Sequence, residues 1–159
     1  MINVKRITYR KATAEDCSIL TKIRMDNMEK YMKNESHSEK ETLRKSISNH
    51  FETGIAEGSL ITWLACDEEK IVSTSGLTFF TVTPSITNIT GKQGYITNMY
   101  TYPEYRRHGI ASKLFALTVK EAIAQGCGRI VLYKTDMAEN IYKNFGFEDA
   151  DGYMTYCPN

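Results

Sequence analysis

The chain has 159 residues, enough for one domain with a real hydrophobic core. Hydrophobic residues make up 42% and charged residues 25%, and the formal net charge is +1, so no global field recommends nucleic acid or a membrane surface as partner. No apolar run approaches transmembrane length, and the N-terminal MINVKRITYRKATAED lacks the apolar stretch of a signal peptide. The four cysteines, Cys17, Cys66, Cys127 and Cys157, form no C-x-x-C pair, so neither a zinc site nor a small disulfide scaffold is implied. They read as small buried apolar residues of a protein in a reducing cytoplasm.

In chain order, Ile2 to Arg10 alternates weakly and predicts a first strand. Thr13 with Glu15 and Asp16 behind it predicts a helix N-cap, and Leu20, Ile23, Met28, Tyr31 and Met32 carry that helix to about Met32. Ser38 and Glu41 form an S-x-x-E capping box for a second helix with Leu43, Ile47 and Phe51 on its apolar stripe and Gly54 as its stop. Leu60 to Cys66 and Ile71 to Val82 predict an antiparallel hairpin, with Gly76 marking a bulge. A polar loop to Gln93 leads into a strand over Gly94 to Thr101. A third helix carries Ile110, Leu114, Phe115, Leu117 and Ala122 and stops at Gly126. Arg129 to Lys134 predicts a parallel strand buried on both faces. Asp136 and Glu139 suggest a cap for a short helix with Ile141, Tyr142 and Phe145, stopped by Gly146. Phe147-Glu148 is extended, and Gly152 to Cys157 predicts a last strand. No repeat, low-complexity tract or linker interrupts the chain, so residues 1–159 read as one α/β domain.

The turn between strand and third helix, Glu104 to Ala111, concentrates the chemistry. A helix N-terminus leaves N–H groups without intrahelical partners and carries positive potential. Arg106 and Arg107 stand beside those donors, and Gly109 and Ala111 remove side-chain bulk where an anion would approach the backbone. The spacing is neither a G-x-G-x-x-G fingerprint nor a Walker A sequence. Arg106, Gly109 and Ala111 instead resemble the Gln/Arg-X-X-Gly-X-Gly/Ala coenzyme A signature of the GNAT superfamily of N-acetyltransferases. A second stretch, DMAENIYKNFGF from Asp136 to Phe147, resembles that family's motif in which a helical tyrosine precedes a Gly-Phe pair. The order of elements resembles the family over essentially the whole chain.

The resemblance implies a GNAT fold, with a mixed sheet of about six or seven strands and four helices. It implies acetyl-CoA as co-substrate, with no metal. The backbone N–H groups of Arg107, His108, Gly109, Ile110, Ala111 and Ser112 would meet the pyrophosphate, with Arg106 assisting electrostatically, and a bulky residue at Gly109 would block that approach. The strand ending at Met99, Tyr100 and Thr101 would pair with the pantetheine amides. The implied reaction is direct attack of a primary amine, on a small molecule or a peptide, on the thioester, with CoA leaving as thiolate and Tyr142 as general acid or hydrogen-bond donor. Homodimers are common in the family.

The sequence departs from the family in one respect. Many relatives carry a carboxylate on the strand before the turn, whereas Tyr95 to Tyr102, YITNMYTY, contains no acid. Deprotonation through water and an acceptor amine of low pKa both fit. Two readings of Asn98 stand, one orienting a water or the substrate and one a satisfied polar group at a strand edge. Two rival functions remain at this point: a catalytically idle acyl-CoA-binding module on the same fold, and a nucleic-acid binder using the basic turn.

Overall fold

A computed structural model describes residues 3–150 and 154–158. Its sheet has five strands in the order of the sequence: β1 (Ile7–Lys11), β2 (Leu60–Asp67), β3 (Lys70–Thr81), β4 (Lys92–Thr101) and β5 (Arg129–Leu132). β1 to β4 are antiparallel neighbours, and β5 joins β4 in parallel. Helices α1 (Cys17–Met28) and α2 (His37–Glu57) lie between β1 and β2 in sequence. Helix α3 (Ile110–Ala124) connects β4 to β5, and α4 (Glu139–Phe145) follows.

Side-chain alternation along the strands supplies a core to each face of the sheet. Leu60, Leu64, Cys66 and Ile71 pack with Cys17, Leu20 and Ile23 of α1 and Phe51 of α2. On the other face, Ala65 and Val72 meet Ile110 and Leu114 of α3, while Leu77 and Ile96 meet Phe115, Val119 and Ala122. Two covered faces explain why β3 is buried continuously from Ile71 to Leu77.

The strand count falls short of the expected six or seven. Val4–Arg6 forms a turn of 3-10 helix, so the first strand begins only at Ile7. Phe147 packs against the α3-side core without joining a strand. In the expected last strand, residues 152 and 153 lie outside the described residues, and 154–157 carry no strand. β5 is a half-buried edge of four residues, not a strand buried on both faces.

Several boundaries move for local reasons. The sequence holds two overlapping S-x-x-E patterns, and the earlier one caps α2: Ser36 Oγ accepts from the Glu39 N–H at 3.2 Å, and Glu39 accepts from the Ser36 N–H at 2.7 Å. Glu41 pairs with Arg44 instead. Gly54 is buried mid-helix, where a Cβ would sit 2.7 Å from Leu60 Cβ, and Gly58, at φ +72°, ends α2. Asp136 does not cap α4; the Thr135 carbonyl accepts the Ala138 and Glu139 N–H groups at 3.0 Å each. Of the cysteines, Cys17 and Cys66 are buried as expected, Cys127 is half-buried and Cys157 is exposed.

Candidate active site

β4 is the axis of the site. It pairs with β3 from Lys92 to Thr101, but with β5 only over Gln93–Ile96. Among the described residues, the β5 side of β4 has no strand partner from Thr97 onward, which leaves the edge of the stretch ending Met99, Tyr100 and Thr101 unpaired by a strand. Such an edge holds an extended ligand by strand-like pairing.

A bulge sits at the start of this stretch. Thr74 lies opposite Tyr100 and Gly76 opposite Thr97, so Asn98 and Met99 oppose Ser75 alone. Asn98 adopts φ +52°, a left-handed conformation that Asn tolerates better than most residues. Hydroxyls from β3 hold the distortion. Thr74 Oγ1 donates to the Asn98 carbonyl at 2.7 Å, and Ser73 Oγ donates to the Tyr100 carbonyl at 2.7 Å. Thr118 of α3 shares a 2.7 Å hydrogen bond with Ser75 Oγ. All four are almost fully buried, which accounts for a polar Ser-Thr-Ser run in the most buried strand.

The bulge divides its neighbours between the two faces. Met99 packs on the α3 side, in the cluster holding Phe115, Tyr142 and Phe147. Asn98 and Tyr100 line a water-sized cavity of about 10 Å³ on the other side, with Leu20, Ile23, Arg24 and Asn27 of α1, Phe51 and Thr74. Asn98 Oδ1 is buried with no hydrogen-bond partner among the described residues.

Tyr142 is 5% exposed, its ring centroid 5.0 Å from that of Phe115. Burial pushes its phenol above the ordinary tyrosine value. Among the described residues its hydroxyl has no hydrogen-bond partner.

The turn beyond β4 is organised by its side chains. Tyr105 is buried, and its hydroxyl donates to Asp67 at 3.0 Å. Arg106 Nε donates to the Thr101 carbonyl at 2.9 Å, so Arg106 ties the turn to the strand end as well as contributing charge. Arg107, His108 and Gly109 are exposed. Arg107 at φ +60° and Gly109 at φ +76° turn the chain into α3, and His108 Nδ1 lies 2.6 Å from the Arg106 carbonyl. Ile110 is 1% exposed in the core, so only its backbone N–H is available, beside those of Ala111 and Ser112. A Cβ at Gly109 would meet nothing within 4 Å; the turn needs glycine for its left-handed backbone rather than for lack of space.

Sequence reasoning missed Arg24, because the apolar spacing used to find α1 carries no information about its polar positions. The fold gathers Lys30, Lys33 and Lys40 with Glu29 and Met32 around an open groove of about 360 Å³. Among the described residues no group of three His, Cys, Asp or Glu side chains is placed to hold a metal ion, and no helix is long and apolar enough to cross a membrane.

The model of the acetyltransferase (GNAT) family matches residues 20–147, most of the chain. The chain belongs to the GNAT acetyltransferase family. It is similar to a predicted acetyltransferase of Clostridium acetobutylicum solved with acetyl-CoA, at 31% identity and TM-score 0.86, over 95% of this chain and 96% of that one. A GCN5-related N-acetyltransferase of Ralstonia eutropha shares the fold at 19% identity and TM-score 0.82, over 95% of this chain and 98% of that one. Among curated proteins, the thialysine N-epsilon-acetyltransferase of Mus musculus is 30% identical over 73 residues, covering 42% of this chain and 43% of the mouse protein. That of Sus scrofa is 33% identical over the same shares. The chain thus matches less than half the length of these curated relatives. Family and neighbours support an acetyl-CoA-dependent acetyltransferase.

Proposed function

We propose that this acetyltransferase moves an acetyl group from acetyl-CoA directly to a primary amine, with the acceptor on the α1 side of β4. The observation that carries the reading is the break in β4–β5 pairing after Ile96, which among the described residues leaves the end of β4 without a strand partner on that side, beside a bulged Asn98 and ahead of the Arg107–Ser112 turn. These residues fit acetyl-CoA: alternate β4 N–H and C=O groups up to Thr101 for the pantetheine amides, and the turn's N–H groups for the pyrophosphate.

Acetyl-CoA supplies the activated acetyl group. Asn98 Oδ1, buried and without a partner among the described residues, accepts an N–H of the attacking amine or an O–H of a water that takes the amine's proton. The cavity beside it is lined by no carboxylate, so the amine loses its proton to water or has a low pKa of its own. Tyr142 donates a hydrogen bond to the leaving sulfur. An ordinary tyrosine is about 1.5 pKa units weaker an acid than a thiol, and burial weakens Tyr142 further. Full proton transfer from the phenol is therefore uphill by more than about 2 kcal/mol, and the hydrogen bond is the larger part of its contribution. No cysteine lines the Asn98 cavity to carry an acyl-enzyme.

The test has two arms. Acetyl-CoA at ~100 times its dissociation constant adds about 2.7 kcal/mol, raising the unfolding midpoint by roughly 5–10 °C. A panel of primary amines, beginning with thialysine because the mouse and pig relatives are named for it, is then read by thiol release. A midpoint unchanged at millimolar acetyl-CoA removes the reading. Binding without thiol release from any amine converts it to an idle acyl-CoA-binding module.

A further inference from the structure

Arg24 stands apart from the other arginines packed against this fold. Arg10 pairs with Asp16, Arg44 with Glu41 and Arg6 with Glu68, and Arg106 donates to the Thr101 carbonyl. Arg24 is half-buried, yet among the described residues it makes neither an ion pair nor a hydrogen bond. A guanidinium withdrawn from water without an acceptor is unfavourable, and burial pushes it below the ordinary arginine value. Arg24 and Asn27 are three residues apart on α1 and line the same water-sized cavity as Asn98, whose Oδ1 also lacks a partner.

The two unmatched groups are complementary in type. One is a cation with planar paired donors; the other is a neutral oxygen acceptor. Resting on the acetyl-transfer reading above, we infer that the acceptor is an amino acid or another amine bearing a carboxylate, with Arg24 holding the carboxylate and Asn98 Oδ1 accepting from an acceptor N–H. One guanidinium among neutral amides and apolar side chains matches a single negative charge, since no second cation lines the cavity that a phosphate dianion would need.

The test compares glycine, β-alanine, γ-aminobutyrate, ornithine and lysine, each with its own carboxamide. Thiol release from acetyl-CoA is measured for the native protein, Arg24→Gln and Arg24→Lys, and calorimetry follows each amine binding to the CoA-loaded protein. At least one carboxylate is expected to be favoured over its amide by about tenfold to a hundredfold in kcat/KM, the worth of a charge-assisted pair of hydrogen bonds. Arg24→Gln erases that ratio, Arg24→Lys keeps part of it, and the acetyl-CoA-induced rise in unfolding midpoint stays as in the native protein. No carboxylate favoured over its amide, in rate or in binding, overturns the inference, as does a preference that survives Arg24→Gln. Loss of the acetyl-CoA-induced rise in the native protein is a different failure, which removes the acetyl-transfer reading and this inference with it.

Discussion

On the α3 side of β4, Met99 packs among Phe115, Tyr142 and Phe147, rings against rings, with the Tyr142 hydroxyl among them. On the α1 side, Asn98 lines a small cavity beside Arg24, Asn27 and Tyr100, where a buried oxygen and a half-buried cation both lack partners among the described residues. A continuous aromatic core holds one tyrosine in place. A polar cavity left unsatisfied has groups available for a ligand. Substitutions on the first side should therefore register first in stability, and those on the second in which amine is used.

The largest expected effect breaks the first side. Phe115 is fully buried and touches Tyr142, Phe145 and Phe147. Phe115→Ala should lower stability by about 3–5 kcal/mol, or roughly 10 °C in unfolding midpoint for a chain of this size. A loss below 1 kcal/mol would mean that this face is not a packed core. Tyr142→Phe comes next and keeps the ring while removing the hydroxyl. Turnover should fall about 100-fold, with the midpoint and the acetyl-CoA-induced shift almost unchanged. An unchanged rate would take Tyr142 out of the mechanism.

The comparison also shows why parts of the molecule were legible in the sequence. The turn from Arg106 to Ala111 and the Tyr142–Gly146–Phe147 pattern are local, so spacing along the chain displays them. The β2–β3 hairpin and α3 follow from period and turn chemistry in the same way. The bulge at Asn98 was not legible, because hydroxyls some two dozen residues upstream hold it. Its trace is the Ser73-Thr74-Ser75 run, which reads as a poor central strand until the carbonyls it serves are known. Arg24 becomes notable only when α1 is laid over β4. The α2 cap slipped by two residues because Ser36 and Ser38 offer the same pattern, and Gly54 passed for a stop because small residues at helix ends and at close packing contacts look alike in a sequence.

Gly109 sharpens the account of the turn. A side chain there meets open space but must adopt φ +76°. Gly109→Ala should therefore cost about 1–2 kcal/mol through backbone conformation, appearing as a lower unfolding midpoint of the unliganded protein. If Gly109→Ala were neutral and Gly109→Val severe, bulk rather than backbone would be the controlling factor.

The smallest effect lies farthest from β4's two faces and depends on pH. Asp16 precedes α1, and its carboxylate accepts from both Arg10 Nη groups at 2.7 and 2.8 Å and from the Thr13 N–H at 2.8 Å. The hydrogen bonds from Arg10 are the main cause that holds its carboxyl below the ordinary value of 3.8, against the opposing effect of burial. A carboxyl depressed in the folded state stabilises the fold fully above its unfolded value, and that contribution is lost as pH falls below about 3.8 toward the folded value. Arg10 is about half exposed, so the pair should be worth no more than about 1 kcal/mol at neutral pH. Arg10→Gln should therefore lower the urea midpoint slightly at pH 7, and the gap from the native protein should close as pH drops below 4. A gap that widened in acid would reverse the sign of this linkage and leave the entry to α1 held by the Thr13 bond alone.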